Sequence, residues 1–328
     1  MHQISYFNIL IYGAVISLVR NSLSCYFSGI GRTKVVMVAT LGALVVNVVL
    51  DYVLIFGKFG LPAMGIEGAA IATLCGSAVA VVIFLMAYLS RYNRAVFAVG
   101  RSWRLDWGVM RKLVWFGLPA GVEMLLNFMA FSAMIMLFHS RGMVVGTAST
   151  IMFNWDLVTF IPLLGIEIAV TSLVGRYMGA GQPALAQRSA ISAIFIGIGF
   201  TMVVFVFFVF FPNLLVELFR PNTPDATFDQ SIPLAVGMIR LASLYVLSEA
   251  VMVALVGALR GAGDTHFTMI LSVSAHWLFV PVLYVMFNLL DMSALMGWLA
   301  LVIIFLLFCV ALIWRFRSGK WKKIKVVA

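Results

Sequence analysis

"SGIGRTKVVM" at residues 28–37 and "RGAGDTHFTM" at residues 260–269 lie 232 positions apart, and the chain laid on itself at that offset brings them into register. The match runs from Val19 to Gly65 without a gap, with identities at Val19, Leu23, Gly29, Gly31, Thr33, Met37, Ala43, Val48, Tyr52, Val53, Met64 and Gly65. Several of these are Gly, Thr or Tyr, which an apolar bias alone would not deliver. What surrounds the two stretches decides how the repeat is built.

The chain is 63% hydrophobic and only 10% charged, where soluble domains are about half apolar and a quarter charged. It reads as an all-α integral membrane protein. Nine apolar stretches follow one another, at about 3–27, 35–56, 66–90, 112–138, 148–174, 188–211, 233–258, 267–288 and 293–315. Each is long enough, at about 1.5 Å per residue, to cross a hydrocarbon core of ~30 Å. The two repeated turns follow the first and seventh stretches. Both copies therefore point the same way, as in a parallel repeat with a pseudo-two-fold along the membrane normal.

Net charge is +10, which raises nucleic acid as a partner until the charges are placed. Alternate assignment of the breaks puts 17 basic residues on one side and 3 on the other, with Arg20 and Arg240 inside helices. That bias over short loops marks the basic side as cytoplasmic. The tail "WRFRSGKWKKIKVVA" then reads as a membrane-surface anchor, and no nucleic-acid partner is expected. The first apolar stretch lacks a basic flank and continues as a full span, so it is not a cleavable signal. Cys25, Cys75 and Cys309 show no metal-ligand spacing and read as small buried hydrophobes.

If the last three spans repeat the first three, the middle three require partners that precede residue 1. A basic tail inside and nine spans also put residue 1 outside, whereas twelve spans put both ends inside. The expectation is thus the last nine spans of a two-lobed, six-plus-six helix bundle. Residues 1–90 form a partial first lobe, 91–111 a cytoplasmic inter-lobe loop, 112–315 a complete second lobe and 316–328 the basic tail.

The Gly-x-Gly-x-Thr turns need backbone reasons only: glycine takes the positive φ that ends a helix, and Thr33 and Thr265 can cap the next one. A phosphate-cradling loop is disfavoured because no strand precedes and no Lys-Ser/Thr pair follows. Gly261-Ala262-Gly263-Asp264 spells the GxGD of intramembrane aspartyl proteases, but Asp264 sits at a helix end without a second aspartate. No enzyme is expected.

Carboxylates at depth are informative, since each costs roughly 2.5–3.5 kcal/mol on insertion scales and such residues usually face a wet cavity. Glu249 lies nine residues from the inner end of its span and Glu123 eleven, which is about 13 and 16 Å deep. Asn127 shares the face of Glu123 one turn on. "FNWDLVTFIPLLGIEIAV" adds Asn154, Asp156 and Glu167 around Pro162. Tyr245 and His276 complete the cavity candidates, although a lone His beside Trp277 is more often a hydrogen-bonded packing residue than a proton relay.

The motifs "SGIGRTKVVM", "NVVLDYVLIFGKFGLPAMGIEGAAIAT", "FGLPAG", "GIEIAVTSLVGRYMGAGQP" and "LRGAGDT" together resemble the multidrug and toxic compound extrusion (MATE) family, bacterial branch. The resemblance implies a twelve-helix, two-lobed transporter of the bacterial inner membrane, with these spans its fourth to twelfth. It implies export of cationic or amphipathic small molecules against inward Na+ or H+, with no other cofactor and no obligate protein partner. The family's acidic residue twelve positions before the Gly of "LRG" falls on Glu249, a candidate Na+ site. Its frequent Glu ten residues after the Gly of "GLP" falls on Asn127, with Glu123 one turn earlier. The expected mechanism is antiport by alternating access, with coupling ion and substrate competing at Glu249, Glu123 and Asn127. The alternatives are a lipid-linked oligosaccharide flippase of the same superfamily, which calls for a basic cavity, and an inactive truncated remnant.

Overall fold

A computed structural model of the chain describes residues 8–60, 62–97, 99 and 105–324. It divides into two compact units, Met1–Trp107 and Gly108–Ala328. Among the described residues there is no strand, and eight helices are long and apolar enough to cross a membrane. The expected first span lies partly outside the described residues. Within them, residues 8–12 are helical, a turn at Gly13 follows, and α1 (Ala14–Gly29) continues.

In the first unit α2 (Thr33–Phe56) and α3 (Gly65–Tyr88) pack along their length, α1 lies on both, and the short α4 (Arg91–Phe97) follows. Small residues permit this contact: Ala39, Ala43 and Ala80 are buried around Phe27 and Phe84, whose rings stack at 5.7 Å. Arg20, a charge within a span, reaches Ser77 Oγ at 3.4 Å. The cysteines depart from expectation. Only Cys309 is buried, Cys75 is half-buried and Cys25 is exposed, because α1 presents that face to the unit's surroundings, where a small apolar residue suits lipid as well as a core.

The second unit comprises α5 (Trp107–His139), α6 (Met143–Gly179), α7 (Pro183–Phe210), the short α8 (Pro212–Glu217), α9 (Ala226–Gly261), α10 (Thr265–Tyr284) and α11 (Ala294–Arg317). A π turn, Val285–Leu289, extends α10, and a 3₁₀ turn, Lys320–Lys323, follows α11. Helix α9 is the hub, packed on α6, α7 and α11 and buried over most of its length. One end of the unit is an aromatic core in which Phe138 meets Phe153, Phe287 and Trp298 edge to face. The other is aliphatic and fine-grained, with Val170, Val174, Ala186, Ala190, Ala258 and Leu312 buried together. Asp225 caps α9 by accepting from Thr227 N at 2.8 Å, and Ser293 caps α11.

The repeat survives in the backbone. Gly31 and Gly263 both have positive φ, 74° and 88°. In each turn the glycine N–H donates to the carbonyl three residues back and the next N–H to the one five back: Arg32 N to Phe27 O at 2.8 Å, Asp264 N to Leu259 O at 2.9 Å. This is the double hydrogen bond of a Schellman helix end. It also recurs at Gly181 and Gln182. The expected threonine caps do not form. The turn places Arg32 and Asp264 at the capping position, neither side chain caps, and Thr33 and Thr265 fall one residue inside. Among non-glycine residues the described chain has positive φ at Phe59 and Asp291, again 232 residues apart.

Candidate functional site

Asp156 and Glu167 are eleven residues apart on α6, and Glu249 and Arg260 eleven apart on α9. Eleven residues make about three turns, so each pair shares a helix face with its members roughly 16 Å apart along the axis. The two helices run parallel. Glycine lets them touch: a Cβ on Gly257 would stand 2.8 Å from Glu167 O, and one on Gly261 2.5 Å from Thr171 O. Thr171 Oγ1 donates to Gly257 O across the seam at 3.1 Å. This is small-residue helix packing of the kind membrane interiors favour. It sets the polar residues of the two helices opposite each other at two levels.

At the first level the Tyr245 hydroxyl donates to Asp156 Oδ1, and the Tyr245 ring stacks on Phe305 at 5.4 Å. Glu249, one turn along α9 from Tyr245, is 8% exposed, and its Oε2 is buried without a hydrogen-bond partner. Glu249 and Asp156 are electrostatic neighbours. Among the described residues neither is in an ion pair.

At the second level Arg260 reaches two carboxylates, Nη2 to Glu123 Oε1 at 2.8 Å and Nη1 to Glu167 Oε1 at 2.5 Å. The Glu123 side chain is 2% exposed, Glu167 13% and Arg260 27%. One guanidinium thus serves two buried acids. Glu123 Oε2 and Arg260 Nε have no partner of their own.

The remaining candidates lie on α5, α10 and α6. Asn127 donates to Ser272 Oγ at 2.8 Å, with its Oδ1 buried and unpartnered. His276 Nδ1 lies 2.8 Å from Ser272 O, and its ring meets Phe279, Phe305 and Phe308. Asn154 is exposed and turned back on its own helix, donating to Thr150 O. The expected grouping of Glu123 and Asn127 with Glu249 thus resolves into separate arrangements: Glu123 is tied to Arg260, Asn127 to Ser272, and Asp156 is the carboxylate beside Glu249. Arg260, counted from sequence as a cytoplasmic loop charge, folds back into the helix bundle. Its signal was the three-turn spacing from Glu249. Asp264 of the GxGD stretch is held by Arg315 through two hydrogen bonds, 2.8 and 3.0 Å.

The chain matches the MatE family model over residues 4–53 and 119–285. It is 33% identical over 265 residues to the probable multidrug resistance protein NorM of Rhizobium meliloti (strain 1021), covering 80% of this chain and 56% of that protein. It is 28% identical over 324 residues to the probable NorM of Thermotoga maritima, covering 97% and 67%. To the multidrug resistance protein MdtK of Yersinia pestis (strain Pestoides F) it is 31% identical over 254 residues, covering 76% and 54%. The chain thus spans about half to two-thirds of the length of these relatives. Among solved structures it resembles a MATE protein in the bent conformation, with a TM-score of 0.83, 20% identity and coverage of 98% and 69%. It equally resembles a MOP superfamily transporter from Pyrococcus furiosus, whose binding pocket is described as of reverse polarity, with a TM-score of 0.85, 20% identity and coverage of 98% and 70%. With the family model matched over well over half its length and a helical membrane fold shared with MATE structures, the chain belongs to the MatE family.

Proposed function

We infer that this chain is part of a multidrug efflux transporter that exchanges cationic or amphipathic small molecules for H+ or Na+ across the bacterial inner membrane, its basic tail on the cytoplasmic side. The observation that carries the reading is the Asp156–Glu249 pair: two neighbouring carboxylates inside the helix bundle with no counter-cation among the described residues. Burying negative charge in a membrane interior is costly unless a cation or proton compensates it. A coupling ion and a cationic substrate can each supply that compensation, but not both at once. Exchange then follows if the two occupants favour different access states. Tyr245, donating to Asp156, fixes the orientation of one acid, while the unpartnered Glu249 Oε2 is free to take a proton or Na+.

The multidrug resistance names of the NorM and MdtK relatives support the substrate class. The flippase alternative called for a basic cavity, and the first level is acidic. At the second level Arg260, the only cation there among the described residues, is outnumbered by its two acids. The test is efflux of a fluorescent cation from cells expressing the protein with Glu249→Gln. Glutamine keeps the shape and removes the charge, so transport is expected to fall at least tenfold, about 1.4 kcal/mol of differential binding. Undiminished efflux with normal membrane abundance would remove Glu249 from the mechanism.

A further inference from the structure

We propose that the end of the second unit formed by the start of α7, the end of α11 and the 3₁₀ turn Lys320–Lys323 is a binding surface for the headgroup of an anionic phospholipid. The sequence reads the basic tail as a membrane-surface anchor, and its described part, up to Ile324, is built into the fold. Trp321 is fully buried, stacks on Phe316 at 5.1 Å and donates its Nε1 to Phe316 O at 2.9 Å. It shares a core with Ala186 and Leu312, and Tyr177 and Met178 pack against that core. Gly319, at φ 67°, makes the turn that brings the ring back.

With Trp321 as the peg, Lys320, Lys322 and Lys323 are exposed but held. Lys322 Nζ lies 2.5 Å from Gln187 Oε1, which sets the turn beside the exposed Arg188, and Arg317 is exposed in the last turn of α11. Among the described residues none of Arg188, Arg317, Lys320, Lys322 and Lys323 is in an ion pair. Asp264 is taken by Arg315, and Glu123 and Glu167 by Arg260. Glu217, Asp225, Asp229 and Asp291 sit at the opposite ends of their helices.

The same helix also supplies the other half of a lipid site. Leu307, Val310 and Trp314 stand out from α11 at 62%, 63% and 63% exposure, at three- and four-residue spacing, so they form an apolar stripe that ends where the basic residues begin. An exposed Trp at that junction is the mark of the membrane interface. A phospholipid fits both parts, its phosphate against the ammonium groups and its acyl chains along the stripe. A free phosphate fits only the first. In the orientation proposed above, the leaflet concerned is the cytoplasmic one, whose anionic lipids attract basic segments.

The experiment is thermal unfolding of the whole protein in neutral detergent, titrated with dioleoylphosphatidylglycerol, dioleoylphosphatidylcholine or inorganic phosphate. A saturable rise in Tm is expected with phosphatidylglycerol alone. Lys320→Ala/Lys322→Ala/Lys323→Ala removes three exposed side chains and the Lys322–Gln187 hydrogen bond, and with Trp321 still seating the turn it is expected to lower the lipid-free Tm only slightly. It should raise the half-saturating lipid concentration by tenfold or more, from roughly fivefold per lysine at the surface. Trp321→Ala, which unseats the turn while keeping every charge, should raise it as well. An unshifted titration in the triple-lysine variant overturns the proposal. So does an equal rise with phosphatidylcholine, which makes the effect bulk lipid, or with inorganic phosphate, which makes it a small-anion site.

Discussion

Arg260→Ala is expected to cost about 3–5 kcal/mol of stability, the range for removing one partner of a buried ion pair. The cause is what remains: Glu123 and Glu167, both well buried, would face each other without the guanidinium that now lies 2.8 and 2.5 Å from them. Thermal unfolding in detergent measures the loss. The mechanism makes a second prediction, because the damage comes from stranded charge. Adding Glu123→Gln and Glu167→Gln to Arg260→Ala should recover most of the stability, since neutral amides replace the uncompensated acids. A single Arg260→Ala that unfolds like the native protein would show that the arrangement contributes nothing. A triple variant no better than the single would show that packing, and not charge, was lost.

Gly261→Val is expected to be comparably damaging. Its added Cβ would stand 2.5 Å from Thr171 O and 3.0 Å from Thr171 Cα, and backbone atoms of a neighbouring helix cannot rotate aside. Gly261→Ala should cost about 1–3 kcal/mol, the usual penalty of overpacking, and valine more. The same displacement separates α6 from α9 and so disturbs both polar levels at once. Gly165→Ala on α6 is the control: nothing lies within 4 Å of its added Cβ, and it is expected to hold or slightly raise the Tm, because alanine favours helix over glycine by about 1 kcal/mol. If Gly261→Ala and Gly165→Ala unfold alike, the close seam is not what holds α6 to α9.

Much of this was legible beforehand because lipid imposes simple rules. Span length and loop charge placed the second unit's six long helices within a few residues of where they lie, apart from α5, α6 and α7 each starting about five residues earlier, α6 ending five residues later and α9 starting about seven earlier. The repeat was legible because glycine at 31 and 263 has a backbone duty that survives drift. Partner choice was not legible. Depth along a helix can be counted from the sequence, but rotation and neighbours cannot. Distances from the span ends put Glu123 and Glu249 at similar depth, but they could not show that Glu123 pairs with Arg260. Arg260 looked like a loop charge because its Cα is one residue from the helix end, yet its long side chain reaches back inward. Thr33 and Thr265 failed as caps because the Schellman turn consumes one more residue than a simple helix start.

The positive φ values shared by Phe59 and Asp291 carry a wider consequence. In the first copy α2 closes on Gly57, at φ 64°; its counterpart is Leu289, and there the helix ends in a π turn instead. Two different endings thus deliver the same loop. A scaffold that tolerates such substitution of means can hold its architecture constant while its chemistry diverges. The positions answering to Tyr245, Glu249 and Arg260 are Gly13, Ser17 and Ser28. The polar equipment of α9 therefore has no twin in the first copy: a symmetric frame has been furnished with one-sided reactivity, and a graft of these three residues into the earlier copy would ask how much of the behaviour is portable.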